Sequence, residues 1–147
     1  MIRTFTAAAL AAAAVASPAM AQSPRPDQLA FRELYKELIE INTTLSVGSC
    51  TAASEAMAAR LKSAGFADAD LQIIVSPDRP KDGNLVATLK GTDAKAKPIL
   101  LLAHIDVVEA NRADWERDPF KLVEENGFFY ARGAADDKAQ AAVWVDT

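Results

Sequence analysis

The sequence predicts an α/β fold, and three observations support that prediction. Residues 28–41 and residues 52–64 have apolar side chains at helical spacing. Between residues 71 and 90 the pattern changes to short runs rich in branched residues, which favour strands. A continuous apolar run, Ile99–Ala103, then indicates a strand that is buried on both faces. Helices followed by strands and a buried strand are typical of a layered α/β domain.

The first 21 residues have the three parts of a secretory signal peptide. Arg3 supplies the positive start, Ala7–Ala16 is an apolar stretch too short to span a bilayer stably, and Ala19-Met20-Ala21 is a small-x-small cleavage site. We therefore expect cleavage after residue 21 and export to a bacterial periplasm or to the cell exterior. An uncleaved anchor and a chance Ala-rich helix are the alternatives.

The composition of the remaining 126 residues excludes several classes of protein. They hold 15 Lys and Arg against 20 Asp and Glu, the opposite of a polybasic nucleic-acid binder. A disordered chain would have fewer large apolar residues. A disulfide-stapled mini-domain needs more than the single Cys50, and a multi-span membrane protein needs long apolar runs that this sequence lacks after residue 21. An acidic globular chain remains.

Two helices are expected before residue 66. In the first, over residues 28–41, charged residues fill the positions between the apolar ones. The second covers residues 52–64, with Thr51 placed to cap its start and Gly65 placed to end it. The apolar stripe of this second helix consists of Ala53, Met57, Leu61 and Ala64.

Strands and loops are expected to follow, before a last helix. Leu71–Ser76 and Asn84–Lys90 predict two short strands separated by a loop rich in turn formers. The apolar run that ends at His104 predicts the central strand. Residues 121–131 predict a hairpin with a tight Asn-Gly turn, and a helix is expected from about Lys138 onward.

His104, the one histidine of the chain, stands at the end of the predicted central strand. Ligands of open α/β sheets bind at that end. Asp106 follows two residues later, and residues i and i+2 of a strand point to the same side. A carboxylate there can accept the second ring N–H and strengthen the other nitrogen as a metal ligand. A surface ion pair or a satisfied core histidine is the alternative.

Two adjacent carboxylates, Asp136 and Asp137, follow a run of small residues just before the last predicted helix. Small residues let the backbone come close to its neighbours, and a carboxylate delivered in this way can bridge two divalent cations. The alternative is an ordinary helix start, in which one of the two carboxylates caps the helix and opposes its dipole.

In combination, these segments closely resemble metallopeptidase family M20, which includes glutamate carboxypeptidases, dipeptidases, aminoacylases and desuccinylases. The resemblance spans residues 104–138 and lies in three ordered motifs. These motifs are His104-Ile-Asp106-Val-Val, Trp115-Glu-Arg-Asp118-Pro119-Phe120, and Asn126-Gly-Phe-Phe-Tyr130-Ala-Arg132-Gly133-Ala-Ala-Asp136-Asp137-Lys138.

The resemblance implies a role for individual residues. His104 matches the histidine that binds one zinc, and Asp106 matches the catalytic-site aspartate that orients it. Asp136 matches the carboxylate that bridges both metals, and the peptide bond that follows it, to Asp137, is commonly cis in this family. The motif positions Arg132, Gly133 and Lys138 are assigned structural roles.

The resemblance also implies the fold and the extent of the domain. It implies a three-layer α/β/α catalytic domain, with a mixed sheet flanked by helices, of which residues 22–147 are the N-terminal portion. We expect this chain to be a fragment that lacks the lid or dimerisation domain. The general-base glutamate and the remaining metal ligands are expected beyond Thr147, so the chain alone should be inactive.

The activity implied is that of a secreted di-zinc hydrolase that cleaves peptide amide bonds as an exopeptidase or dipeptidase, using metal-activated water. Cobalt or manganese would suit the same ligands. An N-acyl amino acid amidohydrolase is the first alternative, and a non-catalytic ligand-binding relative is the second. The expected partner is a peptide or an N-acyl amino acid, with a homodimer possible for the complete protein and no role for nucleic acid or a membrane span.

Overall fold

The computed structural model describes residues 23–93 and 95–147. The predicted signal peptide, residues 1–21, lies outside the described residues. The fold is α/β, as the sequence predicts. Its elements are α1 (Pro26–Glu40), α2 (Cys50–Ser63), β1 (Leu71–Ser76), β2 (Arg79–Ala87), β3 (Val123–Glu125), β4 (Phe128–Tyr130) and α3 (Lys138–Asp146), with short 3₁₀ turns at Asp68–Asp70 and Arg112–Asp114.

Helix α1 begins two residues earlier than predicted. Pro26 occupies its first turn, where a missing N–H costs nothing and the fixed φ suits a helix. The Gln28 side chain accepts a hydrogen bond from the Arg25 N–H at 3.0 Å, which closes the start of the helix. The predicted apolar face is buried at Leu34, Tyr35 and Leu38.

Helix α2 shows one wrong prediction and one confirmed prediction. Ser49, and not Thr51, caps its start, because the Ser49 hydroxyl accepts from the Ala52 N–H at 3.1 Å. The Thr51 hydroxyl instead accepts from the Gly83 N–H at 2.8 Å, which fastens α2 to β2. Gly65 ends the helix with a φ of 107°, and the bond from the Phe66 N–H back to the Leu61 carbonyl completes a Schellman turn.

Two antiparallel hairpins supply the strands of the described residues. In the first, β1 pairs with β2, which begins at Arg79 because the connecting turn takes only residues 77–78. In the second, β3 pairs with β4 around Asn126 and Gly127, whose φ values of 53° and 80° are those of the predicted tight turn. A single parallel bridge joins Thr44 to Val107.

The predicted central strand over Ile99–Ala103 is wrong. This segment has no regular structure, and Ile99 and Leu100 are 86% and 83% exposed. A strand needs a neighbour for its N–H and C=O groups, and an apolar run reports only the character of its side chains. Here the Leu102 carbonyl accepts instead from two side chains of α3, Gln140 at 2.8 Å and Trp144 at 3.4 Å.

The core lies where the three helices meet. Its fully or nearly buried members come from α1, α2 and α3 and are Leu34, Tyr35, Leu38, Ile39, Ala53, Met57, Ala141 and Ala142. In the part of the chain that the structure describes, no helix combines the length and the apolar character needed to cross a membrane.

Candidate metal centre

The fold brings His104 and Asp136 together although they are 32 residues apart in the sequence. Nε2 of His104 lies 2.9 Å from Oδ1 of Asp136. Both side chains are open to solvent, with 52% of the His104 side chain and 90% of the Asp136 side chain exposed. A divalent cation can therefore reach the two atoms from solution.

Asp106 lies on the other side of the His104 ring. Its Oδ1 is 3.2 Å from Nδ1 of His104, and its main-chain carbonyl oxygen is also 3.2 Å from that nitrogen. The sequence predicts only the carboxylate as a partner of Nδ1. The contact with the main-chain carbonyl depends on the path of the backbone after His104, which the sequence pattern does not give. Both oxygens favour a proton on Nδ1, which leaves Nε2 as the nitrogen that faces Asp136.

The surroundings of His104 favour its charged form. The hydrogen bond with Asp136 raises the pKa of the imidazole, and the carbonyl and carboxylate of Asp106 act in the same direction. Because each ring nitrogen faces an acceptor, the metal-free ring gains from holding both protons. A metal ion at Nε2 therefore competes with a proton for that position.

The segment that carries Asp136 is not an ordinary helix start. Asp137 is the residue that precedes α3, and among the described residues its side chain makes no capping hydrogen bond. Asp136 is turned instead toward His104. The peptide bond between the two is cis, in agreement with what the resemblance implies. The capping interpretation of this carboxylate pair therefore does not describe this structure.

The backbone just before Asp136 passes close to the segment that carries Asp106. Gly133 has a φ of 81°, and a Cβ at this position would lie 2.6 Å from Cγ1 of Val107. Val107 is 7% exposed and directly follows Asp106. Only glycine therefore permits the segment carrying Asp136 to pass against the segment carrying Asp106.

Arg132 and Glu109 connect the neighbouring loops. The Arg132 guanidinium lies 5.0 Å from the ring centre of Trp115 and 3.4 Å from the main-chain carbonyl of Glu109. The Glu109 carboxylate accepts from the N–H and the hydroxyl of Ser46 at 3.0 and 2.9 Å. These contacts fix the chain on either side of the site, which agrees with a structural role for Arg132.

Sequence reasoning missed two contacts that reach the Asp136 segment from α1. The Tyr35 hydroxyl donates to the Ala134 carbonyl, and the Lys138 ammonium donates to the carbonyls of Leu38 and Ile41. Tyr35 carries the same sequence signal as any apolar residue at helical spacing, so its polar contact cannot be recognised from the pattern. Lys138 belongs to one of the motifs, but the sequence does not indicate that its side chain is buried.

His104 and Asp136 fit a metal ion as two of its ligands. An imidazole nitrogen and a carboxylate oxygen are normal zinc donors, and in a tetrahedral site they lie about 3.4 Å apart, roughly half an ångström further than here. Within residues 23–93 and 95–147, however, the structure shows no group of three or more His, Cys, Asp or Glu side chains around one point. A stable catalytic zinc site needs at least one further ligand.

Comparison with protein-family models finds a match over the segment that carries His104 and Asp136. Residues 100–147 match the model for peptidase family M20/M25/M40, and the match contains His104, Asp106 and Asp136. This segment is therefore similar to peptidase family M20 over about a third of the chain. The match agrees with the resemblance seen in the motifs of residues 104–138 and begins only a few residues before them.

Individual relatives match over similar lengths. The N-fatty-acyl-amino acid synthase/hydrolase PM20D1 of Mus musculus is 51% identical over 51 residues, which are 35% of this chain and 10% of that protein. An uncharacterised carboxypeptidase of Schizosaccharomyces pombe is 46% identical over 57 residues, 37% and 10% of the two chains. The acetylornithine deacetylase of Dictyostelium discoideum is 35% identical over 71 residues, 46% and 16%. The chain thus spans about a tenth to a sixth of the length of these relatives.

Proposed function

We propose that this chain is part of an exported metal-dependent hydrolase that cleaves amide bonds. The observation that carries the proposal is the approach of His104 Nε2 to Asp136 Oδ1, at 2.9 Å, inside the segment that matches the M20 family model. An imidazole and a carboxylate that converge on open solvent from separate segments have the character of metal ligands rather than of a packing contact.

Each residue of the site has a separate part in this proposal. Asp136 and Nε2 of His104 would hold the metal, for which zinc is the first choice and cobalt or manganese are suitable replacements. A metal held there would supply Lewis-acid chemistry and an activated water for the hydrolysis. Asp106 holds the His104 ring by its Nδ1 side, so that Nε2 keeps its direction toward Asp136.

Two substrate classes agree with the comparisons, and both contain an amide bond next to an amino acid. One relative is named a carboxypeptidase, which supports a peptide substrate. Two others are named for N-fatty-acyl-amino acids and for deacetylation of acetylornithine, which supports an N-acyl amino acid. The N-acyl amino acid is therefore the second candidate substrate, supported by the 51% identity to the N-fatty-acyl-amino acid synthase/hydrolase. Export rests on the signal-like residues 1–21 alone.

The decisive experiment compares Asp136→Ala with Asp137→Asn in the complete gene product. We expect Asp136→Ala to abolish hydrolysis of dipeptides and N-acyl amino acids and to lower the amount of bound zinc measured by elemental analysis. Asp137→Asn should have a smaller effect, because the Asp137 side chain does not face His104 in the described residues.

Two results would contradict the proposal. Full activity of Asp136→Ala would show that this carboxylate is not a ligand. A wild-type protein that binds these compounds but hydrolyses none of them would support a non-catalytic ligand-binding relative. Cleavage of one substrate panel and not of the other would decide between the peptidase and the N-acyl amino acid hydrolase.

A further inference from the structure

We propose that Tyr35 and Lys138 position Asp136 by fastening both sides of its segment to helix α1. The inference concerns how the Asp136 carboxylate is held in place. It rests on the proposed function only where it treats that carboxylate as a metal ligand. It assigns a role in the site to α1, an element that contributes no predicted metal ligand.

Lys138 fixes the chain on the carboxyl side of Asp136. It is the first residue of α3 and is fully buried, with 0% of its surface exposed. Its ammonium group donates to the main-chain carbonyls of Leu38 at 3.0 Å and Ile41 at 2.7 Å. The last carbonyls of a helix lack partners within the helix and carry partial negative charge, so they are suitable acceptors for a buried cation.

Tyr35 fixes the chain on the amino side of Asp136. It is 3% exposed, and its hydroxyl donates to the main-chain carbonyl of Ala134 at 2.5 Å. Its ring is held between Phe31, at 5.8 Å between ring centres, and Phe129, at 5.5 Å in an edge-on arrangement. The hydroxyl therefore has little freedom, and it ties the Ala134 carbonyl to the same helix that Lys138 contacts.

The exposure of Asp136 makes these two contacts important for its position. Its side chain is 90% exposed, so packing does not hold it in place. Its direction depends on the backbone between residues 134 and 138, and both of these residues are fastened to α1. A metal ligand must be held to within roughly half an ångström to be effective. Loss of either contact should therefore loosen the approach of Asp136 to His104.

The test uses the metal-free 147-residue chain, in which His104 is the one histidine. In neutral imidazole, a carboxylate at Nε2 favours the Nε2–H tautomer, whereas Asp106 favours Nδ1–H. The ¹⁵N shifts of the ring at pH 9, in the presence of a chelator, report the ratio of the tautomers. Burial lowers the pKa of Lys138 to about 8, so at this pH its side chain donates mainly as a neutral amine. Asp136→Ala defines the ratio without the contact. We expect Tyr35→Phe and Lys138→Met each to move the ratio at least half of the way to that value.

Two further variants separate positioning from general stability. Leu61→Ala removes a buried side chain of α2 that is 7% exposed, and it should lower the stability of the fold while leaving the tautomer ratio unchanged. Lys138→Arg keeps a buried N–H donor at this position and should return the ratio part of the way to the wild-type value. Tyr35→Phe removes only one hydroxyl, so the test holds even if Lys138→Met does not fold.

The inference is overturned if Asp136→Ala changes the ratio and Tyr35→Phe leaves it at the wild-type value. It is also overturned if Leu61→Ala changes the ratio as much as Tyr35→Phe does. The proposed function fails by a different measurement, which is hydrolysis and bound zinc in Asp136→Ala. The two failures are therefore distinguishable.

Discussion

His104 has an acceptor on each side of its ring, Asp136 at Nε2 and Asp106 at Nδ1. This arrangement has two consequences that depend on the presence of a metal. Without a metal, the ring gains from a second proton, which raises the pKa of the imidazole. With a metal at Nε2, the proton on Nδ1 remains and keeps the ring oriented. Metal binding at this site should therefore weaken as the pH falls through the pKa of His104.

The contact with Asp136 can be tested through the pKa of His104 alone. We expect Asp136→Asn to lower that pKa, because the hydrogen bond to the Asp136 carboxylate is the largest contribution that raises it. NMR detection of the single imidazole between pH 5.5 and 9 gives the value directly. Asp137→Asn is the matched control and should leave it nearly unchanged. Equal pKa values in wild type and Asp136→Asn would show that the two side chains do not meet in solution.

The candidate site residues could be found from sequence, but their supports could not. His104, Asp106 and Asp136 are recognisable because their types and order form motifs. Tyr35 is recognisable only as an apolar residue of α1, since its hydroxyl meets the Ala134 carbonyl across 99 positions of the sequence. Contacts at that separation depend on the packing of α1 against α3, which no local pattern describes.

At the scale of elements, the confirmed predictions of a turn and a helix end depend only on residues that are close together in the sequence. The turn at Asn126-Gly127 and the end of α2 at Gly65 follow from which residues tolerate a positive φ. By contrast, the strand predicted over Ile99–Ala103, which is wrong, depends on a partner elsewhere in the chain. An apolar run indicates burial on average but does not provide the neighbouring strand. Local rules therefore located these turns better than they located pairing between distant segments.

Alanine substitutions at two glycines can test how closely the Asp136 segment passes the Asp106 segment. Gly133 and Gly127 have nearly equal φ values of 81° and 80°, so an alanine at either position bears a similar backbone cost of about 1–2 kcal/mol. At Gly127 the added methyl group meets nothing within 4 Å, whereas at Gly133 it would lie 2.6 Å from Val107. We expect Gly133→Ala to cost about 1–3 kcal/mol more than Gly127→Ala in urea unfolding. Equal costs would contradict the close passage of these two segments.

At the scale of the whole molecule, the helices are well covered, whereas the irregular segment of residues 99–102 is exposed. The core is formed by α1, α2 and α3. By contrast, Ile99, Leu100, Leu101 and Leu102 are four consecutive apolar residues that are each more than half exposed. Single exposed apolar residues are normal, but a continuous run of this kind is a site of association. The formal net charge of −4 provides only modest repulsion between copies of the chain.

We therefore expect the 147-residue chain to self-associate through residues 99–102 and to bind the dye ANS, which reports exposed apolar surface. The double variant Ile99→Lys/Leu100→Lys should lower both ANS fluorescence and the mass measured by light scattering, because it places two like charges in the middle of the run. Leu45→Lys is the control, since Leu45 is 79% exposed but lies outside the run. This single variant should change neither quantity appreciably. A wild-type chain that is monomeric and does not bind ANS would contradict the exposure of this segment, and an unchanged mass in the double variant would place the association elsewhere.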